Sequence, residues 1–264
     1  MLYVYVISLV KDVKKRNEIS GFLNKFNIKF EFIDAIYGKN LSISTMEVIR
    51  NKSKGKVLGR GYSATPGEIG CTLSHLEAYK KIVANKQKWA CILEDDAILD
   101  HQFELFIKEF SDVELEPSNL YLLGGQNGLD QEYLVKSRRK VIKVGGQYFF
   151  KTIKSESVIY RTCCYILSDK MANKFINLYQ KEYILADDWE YLVDRKLVKK
   201  IYLADFVDHP IDLSCSNIEA ERSFFASKVQ QNSNNRIIFR CIKEFLKKTR
   251  LIFLRIYSKI DFLD

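Results

Sequence analysis

The segment Val4-Tyr-Val-Ile-Ser-Leu-Val10 is apolar and rich in β-branched residues, as expected of a β-strand that is buried on both faces. Residues 12–26 then place apolar side chains at helical spacing. The next stretch, Ile28-Lys-Phe-Glu-Phe-Ile-Asp-Ala-Ile36, alternates between polar and apolar residues and predicts a second strand that ends near Asp34. This β-α-β order favours an α/β fold with a mainly parallel sheet.

A second apolar run, Trp89-Ala-Cys-Ile-Leu93, predicts a central parallel strand, and it ends abruptly in Glu94-Asp95-Asp96. Three adjacent carboxylates repel one another, and burial increases that repulsion, so they must be solvated or must hold a cation. Ligands of open α/β sheets bind outside the carboxyl ends of the strands, where these residues fall. Their oxygen atoms suit Mg²⁺ or Mn²⁺. The alternative is a solvated acidic turn, but the buried strand directly before it favours the metal site.

The stretch Thr65-Pro-Gly-Glu68 predicts the start of a helix, because it combines a capping threonine, a proline at the first helical position and a glutamate three residues after the cap. We expect this helix to reach about Asn85. The residues expected to face the core are Ile69, Leu73, Leu76 and Val83.

His75 is one of only three histidines, and it shares a face of this helix with Glu68 and Cys71. That face begins close to the helix N-terminus, which could meet a phosphate group. A histidine in such a place is more often structural than catalytic, so both roles stay open.

Two further groups could carry chemistry nearer the C-terminus. Asp187 and Asp188 form an acidic pair at a predicted helix N-terminus, where carboxylates interact favourably with the helix dipole. The functional alternative is a general base that takes the proton of an acceptor hydroxyl. His209 lies in a loop after the last predicted strand and could complete a metal site.

The rest of the chain alternates between predicted strands and helices. Strands are expected at 120–123, 163–167 and 201–203, helices at 103–110, 170–179 and 189–196, and a polar or hairpin region over 130–157. The glycine pair after residue 123 matches neither a GxGxxG fingerprint nor a P-loop, so nothing supports nucleotide binding by those mechanisms.

The chain has 264 residues, of which 47% are hydrophobic, and a net charge of +9. With only 12 Gly and three Pro, it belongs to no collagenous or low-complexity class. The charge is uneven, because residues 236–264 carry eight basic and three acidic residues, a net +5 that leaves +4 for residues 1–235. We expect a body over 1–235 and a local basic element over 236–264.

The basic element also has an apolar face, because Ile238, Ile242, Phe245, Ile252, Ile256 and Ile260 follow helical spacing. A basic amphipathic helix can lie on an anionic bilayer surface. The alternative is a terminal helix docked on the core. Nucleic-acid binding is not expected. It would call for basic residues interleaved with exposed aromatic residues, or for a known nucleic-acid-binding module, and the sequence shows neither.

The N-terminus reads as a first strand and not as an export signal, because it lacks a basic n-region and a small-residue cleavage site. No run of about 18 apolar residues predicts a transmembrane helix. The six cysteines offer no CxxC pair and are expected to be reduced thiols in a cytosol.

Five motifs follow one another in a characteristic order: Tyr5-Val-Ile-Ser-Leu9, Arg16, Phe30-Glu-Phe-Ile-Asp-Ala35, Gly67-Glu-Ile-Gly-Cys-Thr-Leu-Ser-His-Leu76 and Ile92-Leu-Glu-Asp-Asp96. In this order they resemble glycosyltransferase family 25, the bacterial lipooligosaccharide and lipopolysaccharide glycosyltransferases, with a related branch among the collagen galactosyltransferases. The resemblance is specific from residue 3 to about 100 and looser through 164–168 and 187–188. Around 162–165 this chain has Thr-Cys-Cys-Tyr where relatives often carry Gly or Ala before the Tyr.

The resemblance implies a GT-A type fold, with a Rossmann-like domain that binds a nucleotide sugar and a divalent metal, Mn²⁺ or Mg²⁺. It implies inverting transfer of a hexose, usually from UDP-galactose and sometimes from UDP-glucose, onto a lipooligosaccharide or other glycolipid. The protein would then be a β-galactosyltransferase that works in the cytoplasm, peripherally on the inner face of the bacterial inner membrane, with residues 236–264 on the lipid.

The same resemblance implies roles for individual residues. Asp96 would be the main metal ligand, helped by Glu94 or Asp95, with His209 as a further candidate. Asp188 or Asp187 would be the base. The residues implied to lie near the donor are Ser8, Asp34, His75, Glu94 and Asp95.

Two other function classes remain to be tested. A non-catalytic basic protein bound peripherally to membranes would leave Glu94-Asp95-Asp96 unexplained. A metal-dependent phosphohydrolase would use the same acidic cluster but release phosphate without UDP.

Overall fold

The computed structural model describes residues 2–129, 133–212, 216–230, 245, 246, 248–254 and 256. The strands are β1 (Tyr3–Ser8), β2 (Phe30–Asp34), β3 (Trp89–Glu94), β4 (Leu120–Gly124), β5 (Lys136–Val144), β6 (Gln147–Thr152), β7 (Cys164–Ser168) and β8 (Ile201–Val207). The α-helices are α1 (Val13–Lys25), α2 (Ile43–Asn51), α3 (Lys56–Gly59), α4 (Pro66–Ala84), α5 (His101–Lys108), α6 (Asp169–Lys181), α7 (Trp189–Asp194) and α8 (Asn217–Gln230).

Within the described part of the chain, all eight strands form one sheet in the order β2-β1-β3-β7-β4-β8-β6-β5. β1 pairs in parallel with β2 and β3, and β4 pairs in parallel with β8. β7 is antiparallel to both of its neighbours, and β6 is antiparallel to both of its own. Six of the eight strands therefore run in one direction. The expected α/β fold with a mainly parallel sheet is present, with β7 and β6 running against it.

Helices cover both faces of the sheet, and each face has its own core. Alternate residues of β1 belong to the two different cores. Val4 and Val6 belong to the cluster formed with α1 and α5. Tyr5 and Ile7 join the cluster formed with α4, α6 and α7. The strand is buried along almost its whole length, as its continuous apolar sequence predicts.

α4 begins where its sequence predicts. Thr65 and Glu68 form a reciprocal capping box, and Pro66 is the first residue of the helix. The start of the helix approaches the loop after β2 so closely that a Cβ on Gly70 would lie 2.4 Å from the carbonyl oxygen of Ile36. This close approach brings the start of α4 next to the ends of β1 and β2.

The buried face of α4 is wider than the expected one. Ile69 is buried, and Leu73, Leu76 and Val83 are partly buried and pack against the core, as expected. The buried residues of the helix also include Ala78 and Ile82 and three polar residues, Thr72, His75 and Tyr79.

The basic element predicted over 236–264 is described only in part, since 236–244 and 257–264 lie outside the described residues, as does the predicted boundary at 235. Residues 245, 246, 248–254 and 256 are helical. Leu251 is buried, while Phe245, Leu246, Ile252, Phe253 and Ile256 are exposed. Among the described residues, none of the helices combines the length and the apolar character that crossing a bilayer requires.

Candidate active site

A cleft opens at the carboxyl edge of the sheet, where β1, β3 and β8 end and β7 begins. It consists of two adjoining cavities of about 190 and 130 Å³. The larger cavity, here called the β1 lobe, is lined by Ser8, Lys15, Tyr37 and Asp95 among others. The smaller, here called the Asp187 lobe, is lined by Arg161, Thr162, Asp187, His209 and Arg222 among others. The residues that line both lobes are Cys71, Glu94, Asp96, Ser216 and Ile218.

Glu94, the last residue of β3, lies at the junction of the two lobes and is held from two sides. Its Oε1 lies 3.0 Å from His75 Nε2 and also accepts a hydrogen bond from the Thr162 hydroxyl. Burial acts to raise the pKa of Glu94, but the hydrogen bond and charge of His75, together with Thr162, outweigh it and hold the pKa below its ordinary value. Glu94 is therefore a fixed carboxylate.

Asp95 turns into the β1 lobe and binds one hydroxyl and one ammonium group. Its Oδ2 accepts a hydrogen bond from Ser8 Oγ at 2.6 Å, and its Oδ1 lies 3.3 Å from Lys15 Nζ. The same ammonium lies 3.8 Å from Asp96. Burial acts to lower the pKa of Lys15, but Asp95 and Asp96 outweigh it and raise that pKa. The lobe therefore contains a permanent positive charge from the first turn of α1.

Asp96 is the least satisfied of the three carboxylates. Its Oδ1 is buried and, among the described residues, has no hydrogen-bond partner. Burial and the charge of Glu94 raise the pKa of Asp96, against the opposing effects of His209 and Lys15. A buried oxygen without a donor is what a metal ligand presents before the cation binds, so Asp96 fits a divalent cation.

His209 faces this oxygen, with 3.8 Å between its Nε2 and Asp96 Oδ1. Its Nδ1 lies 2.8 Å from the carbonyl oxygen of Pro210, which can only accept a hydrogen bond. Nδ1 therefore carries the proton, and in the neutral ring Nε2 has a free lone pair directed to Asp96. This arrangement is the one that metal-binding histidines use.

His75 lies behind Glu94 and is fully buried. Its Nδ1 lies 2.8 Å from the Tyr165 hydroxyl, which in turn lies 2.9 Å from the Tyr79 hydroxyl. A ring nitrogen of His75, a Glu94 carboxylate oxygen and Cys71 Sγ lie within 4.8 Å of one another. His75 thus affects the cleft by holding the Glu94 carboxylate, without contacting the cleft itself.

Asp34 ends β2 with an exposed side chain that pairs with Arg16. The Arg16 guanidinium also donates to the carbonyl oxygen of Ser8 at 3.3 Å. Asp34 therefore supports the end of β1 from outside the lobe, while Ser8 itself is part of the lobe wall.

The two carboxylates of the second acidic pair have different surroundings. Asp187 lines the Asp187 lobe, and its Oδ2 accepts a hydrogen bond from the backbone N–H of Arg161 at 3.1 Å. Asp188 is 1% exposed, caps α7 through the N–H of Tyr191 and accepts the N–H of Lys56 at 2.6 Å. Burial raises the pKa of Asp188, against the effect of Lys56. The pair is thus divided between the cleft and the interior.

Several cleft residues escaped the sequence analysis: Lys15, Arg161, Glu221 and Arg222. Glu221 and Arg222 belong to α8, which lies against the start of α4, where Glu221 accepts the backbone N–H of Gly67 at 2.7 Å. Arg222 donates to Glu68 at 2.8 Å.

Arg161 has a positive φ of 67° and donates to the carbonyl oxygens of Gly125 and Asn127. The positive φ is the feature that distinguishes Arg161 from other arginines, and the sequence alone does not reveal it.

Comparisons with known proteins give one family. The sequence model of glycosyltransferase family 25, described as an LPS biosynthesis protein, matches residues 1–190. A Haemophilus influenzae protein named "Putative glycosyltransferase" is 27% identical over 262 residues, which cover 94% of this chain and 84% of that protein. Procollagen galactosyltransferase 1-B of Xenopus laevis is 33% identical over 107 residues, 40% of this chain and 17% of that protein.

A Bos taurus protein named "Probable inactive glycosyltransferase 25 family member 3" is 27% identical over 184 residues, 66% of this chain and 28% of that protein. The chain therefore spans less than a third of the length of the two animal relatives. Among solved structures, the inositol-1-phosphate CTP transferase of T. maritima aligns over 88% of this chain and 97% of its own, with a TM-score of 0.39 and 12% identity.

Proposed function

Because the chain belongs to glycosyltransferase family 25, we propose that it is a metal-dependent, inverting β-galactosyltransferase, which moves galactose from UDP-galactose onto a lipooligosaccharide or lipopolysaccharide acceptor. The observation that carries the proposal is the position of Glu94 and Asp96 at the junction of two lobes, with Lys15 on one side and Asp187 on the other. A transferase needs two adjoining subsites of this kind, one for the donor and one for the acceptor.

The β1 lobe is the proposed donor subsite of a GT-A type nucleotide-sugar-binding domain. It lies outside the carboxyl ends of β1 and β3, where α/β sheets bind nucleotides. Lys15 offers a cation for the diphosphate, and Ser8 fixes Asp95 beside it. Of the predicted donor residues, Ser8, Glu94 and Asp95 act directly in this proposal. Asp34 acts through Arg16, and His75 acts through Glu94.

Asp96 is the proposed main metal ligand, with Asp95 and His209 beside it, because its Oδ1 is buried without a donor and faces His209 Nε2. Glu94 is a weaker candidate, since its Oε1 is already engaged by His75 and Thr162. Carboxylate oxygens suit Mn²⁺ or Mg²⁺. Such a cation would neutralise the charge that develops on the leaving diphosphate.

The Asp187 lobe is the proposed acceptor subsite, with Asp187 as the general base. The bond from Arg161 N–H restrains the carboxylate at the wall of the lobe. As the acceptor oxygen forms its bond to C1 of the sugar, Asp187 takes the hydroxyl proton, and the bond from C1 to the UDP oxygen breaks on the opposite face. Asp188 is assigned to structure, because both of its oxygens accept backbone N–H groups.

Membrane association through residues 236–264 belongs to the same proposal. The described part of this segment exposes Phe245, Leu246, Ile252, Phe253 and Ile256 beside Lys248 and Arg250. Such a surface suits the anionic inner face of the bacterial inner membrane, where a glycolipid acceptor would be met.

The experiment is a screen of UDP-hexoses with a glycolipid acceptor, in Mn²⁺ and in EDTA, read out as released UDP and as glycosylated product. We expect UDP and product to form together from UDP-galactose, only with metal, and not in Asp187→Asn. Product from UDP-glucose alone would change the sugar assignment. Phosphate release without UDP would favour the phosphohydrolase.

The alternative of a non-catalytic protein is supported by a specific observation, since some relatives are named as inactive members of the family. If no UDP-hexose yields UDP or product while the folded chain still binds anionic vesicles, the proposal is wrong and the protein is a non-catalytic peripheral protein.

A further inference from the structure

Cys71, His75 and Glu94 bring a sulfur, a nitrogen and an oxygen atom within 4.8 Å of one another. Cys71 and His75 are four residues apart on α4 and therefore share one face of the helix, while Glu94 enters from the end of β3. We propose that these three side chains form a zinc site, with a ligand set separate from the hard-cation ligands Asp95, Asp96 and His209.

The chemistry of the three ligands favours zinc over the metals that suit the acidic cluster. Thiolate, imidazole and carboxylate are all ligands of tetrahedral Zn²⁺, at about 2.0 to 2.3 Å from the metal. Two such ligands on one ion lie about 3 to 4 Å apart, so the present separations need only a small contraction. Mg²⁺ and Mn²⁺ prefer an octahedral shell of oxygen atoms. Cys71 is therefore the ligand that selects between the two classes of metal.

The second layer around the site is already arranged for a metal-bound histidine. Such a histidine binds the metal through one nitrogen and donates its other N–H to a neighbour that fixes the ring. His75 Nδ1 lies 2.8 Å from the Tyr165 hydroxyl, which lies 2.9 Å from the Tyr79 hydroxyl. A hydroxyl can both accept and donate. When Nε2 binds zinc, Nδ1–H can donate to Tyr165, and Tyr165 to Tyr79. The hydrogen bond between Nε2 and Glu94 is then replaced by the bonds of both groups to the metal.

Access and the open coordination position come from the cleft. His75 is fully buried, but Cys71 and Glu94 line both lobes, so an ion can enter from either of them. Three protein ligands leave a fourth position for water, as in zinc sites that stay open to solvent. On binding, the Cys71 thiol and His75 Nε2, which donates to Glu94 in the metal-free site, each release their proton to solvent. The thiolate and the Nε2 lone pair then bind zinc, and no oxidant or reductant is required.

Zinc in this site would occupy the junction between the lobes and redirect the Glu94 carboxylate. We therefore expect it to inhibit transfer at concentrations far below those at which Mg²⁺ or Mn²⁺ acts. Inhibition rests on the proposed function, whereas zinc binding does not. A protein that binds zinc without any transferase activity would refute the proposed function and leave the zinc site standing.

The test uses the full-length chain with zinc alone as the probe, in excess Mg²⁺ to fill the acidic cluster. Zinc is titrated against a chromophoric chelator, and Co²⁺ is added separately, because a cobalt–thiolate bond gives a near-ultraviolet charge-transfer absorption. We expect one tight zinc ion and the cobalt band in the wild-type chain. In Cys71→Ser the band should be lost and zinc affinity should fall by at least about 10-fold. The matched control is His101→Gln, an exposed histidine with its own glutamate partner, which should change neither.

A measurement without any substitution guards against a misfolded variant. In the wild-type chain, zinc should slow alkylation of Cys71 by iodoacetamide, as located by peptide mass mapping, while Mg²⁺ should not. A cobalt band that persists in folded Cys71→Ser, or alkylation of Cys71 at an unchanged rate in saturating zinc, would overturn the proposal.

Discussion

The carboxylate of Asp188 accepts a hydrogen bond from the backbone N–H of Lys56 at 2.6 Å, although 132 residues separate the two in the chain. Gly55, at a φ of 63°, makes the approach possible, because a Cβ there would lie 2.1 Å from Asp188 Oδ2. The other oxygen accepts the N–H of Tyr191 and caps α7. Asp188 therefore joins α7 to the start of α3, and its neighbour Asp187 is left for the cleft.

This division predicts different results for two adjacent substitutions. Asp187→Asn removes the proposed base and should lower kcat by about 10² to 10⁴-fold, with little change in UDP binding. Asp188→Asn places an amide donor or a weaker acceptor against Lys56 N–H and should lower the free energy of unfolding by about 1 to 3 kcal/mol. Denaturant unfolding and steady-state kinetics on both variants separate the two effects. Wild-type turnover in folded Asp187→Asn would remove that residue from the mechanism.

The unpartnered oxygen of Asp96 predicts a loss of metal-dependent donor binding. Asp96→Ala should abolish transfer and also remove the Mn²⁺-dependent part of UDP affinity, because the remaining oxygens cannot replace the main ligand. Calorimetric titration of UDP with Mn²⁺ and with EDTA measures this difference directly. Asp205→Asn is a matched control, since Asp205 is an exposed carboxylate on β8. Equal UDP affinity with and without Mn²⁺ in the wild-type chain would contradict the assignment.

Much of the frame of this site follows from local sequence. The β-α-β opening, the capping box of α4 and the strand that ends at Glu94 are all signalled by residues within one element, and all three are present. The antiparallel insertion of β7 between β3 and β4 was not predicted, because pairing between distant strands leaves no mark on the periodicity of either one.

The polar part of the buried face of α4 was missed for a related reason. Hydrophobicity alone favours Leu73 and Leu76, whereas the structure buries His75 and Tyr79. These polar side chains are stable inside the protein because Tyr165 supplies hydrogen bonds to both from a strand about 90 residues away. Lys15 and Arg161 likewise reach the cleft from separate elements, so no single stretch of sequence could have grouped them.

Glu68 predicts a pH dependence of stability. It is 2% exposed, closes the capping box and contacts Arg60 and Arg222. Burial acts to raise the pKa of Glu68, but the hydrogen bond from Arg60 and the charge of Arg222 outweigh it and hold the pKa below its ordinary value. Its ionised form is therefore favoured by folding, so the stabilisation is complete above the unfolded pKa of about 4.3 and is lost as the pH falls through the folded pKa.

Glu68→Gln should accordingly lower the free energy of unfolding by about 3 kcal/mol near neutral pH, because two partly buried guanidinium groups lose their anion. The difference from wild type should shrink as the pH falls below about 4. Urea unfolding at a series of pH values measures it. Glu77→Gln, on the exposed face of the same helix, is the control and should change stability by less than about 0.5 kcal/mol. A constant difference down to low pH would show that charge is not the cause.

The exposed apolar residues of the C-terminal segment predict membrane binding that can be tested without deleting the segment. Deletion of 236–264 should release the chain from anionic vesicles, but it also removes Leu251, which is buried. Phe253→Glu with Ile256→Glu is a cleaner variant, since these side chains are 58% and 49% exposed. Each apolar side chain contributes of order 1 kcal/mol or more when buried in lipid, so the pair should weaken vesicle binding by at least about 10-fold.

The matched control is Val113→Glu, which places one acid at an apolar residue that is 88% exposed and lies between α5 and β4. It lowers the net charge without touching the C-terminal segment, so it should weaken binding only slightly. Added salt should weaken binding of the wild-type chain, because Lys248 and Arg250 attract anionic headgroups over a screened distance. If the double variant stays folded and sediments with anionic vesicles as the wild-type chain does, this face does not contact lipid, and the exposed apolar residues must serve another partner.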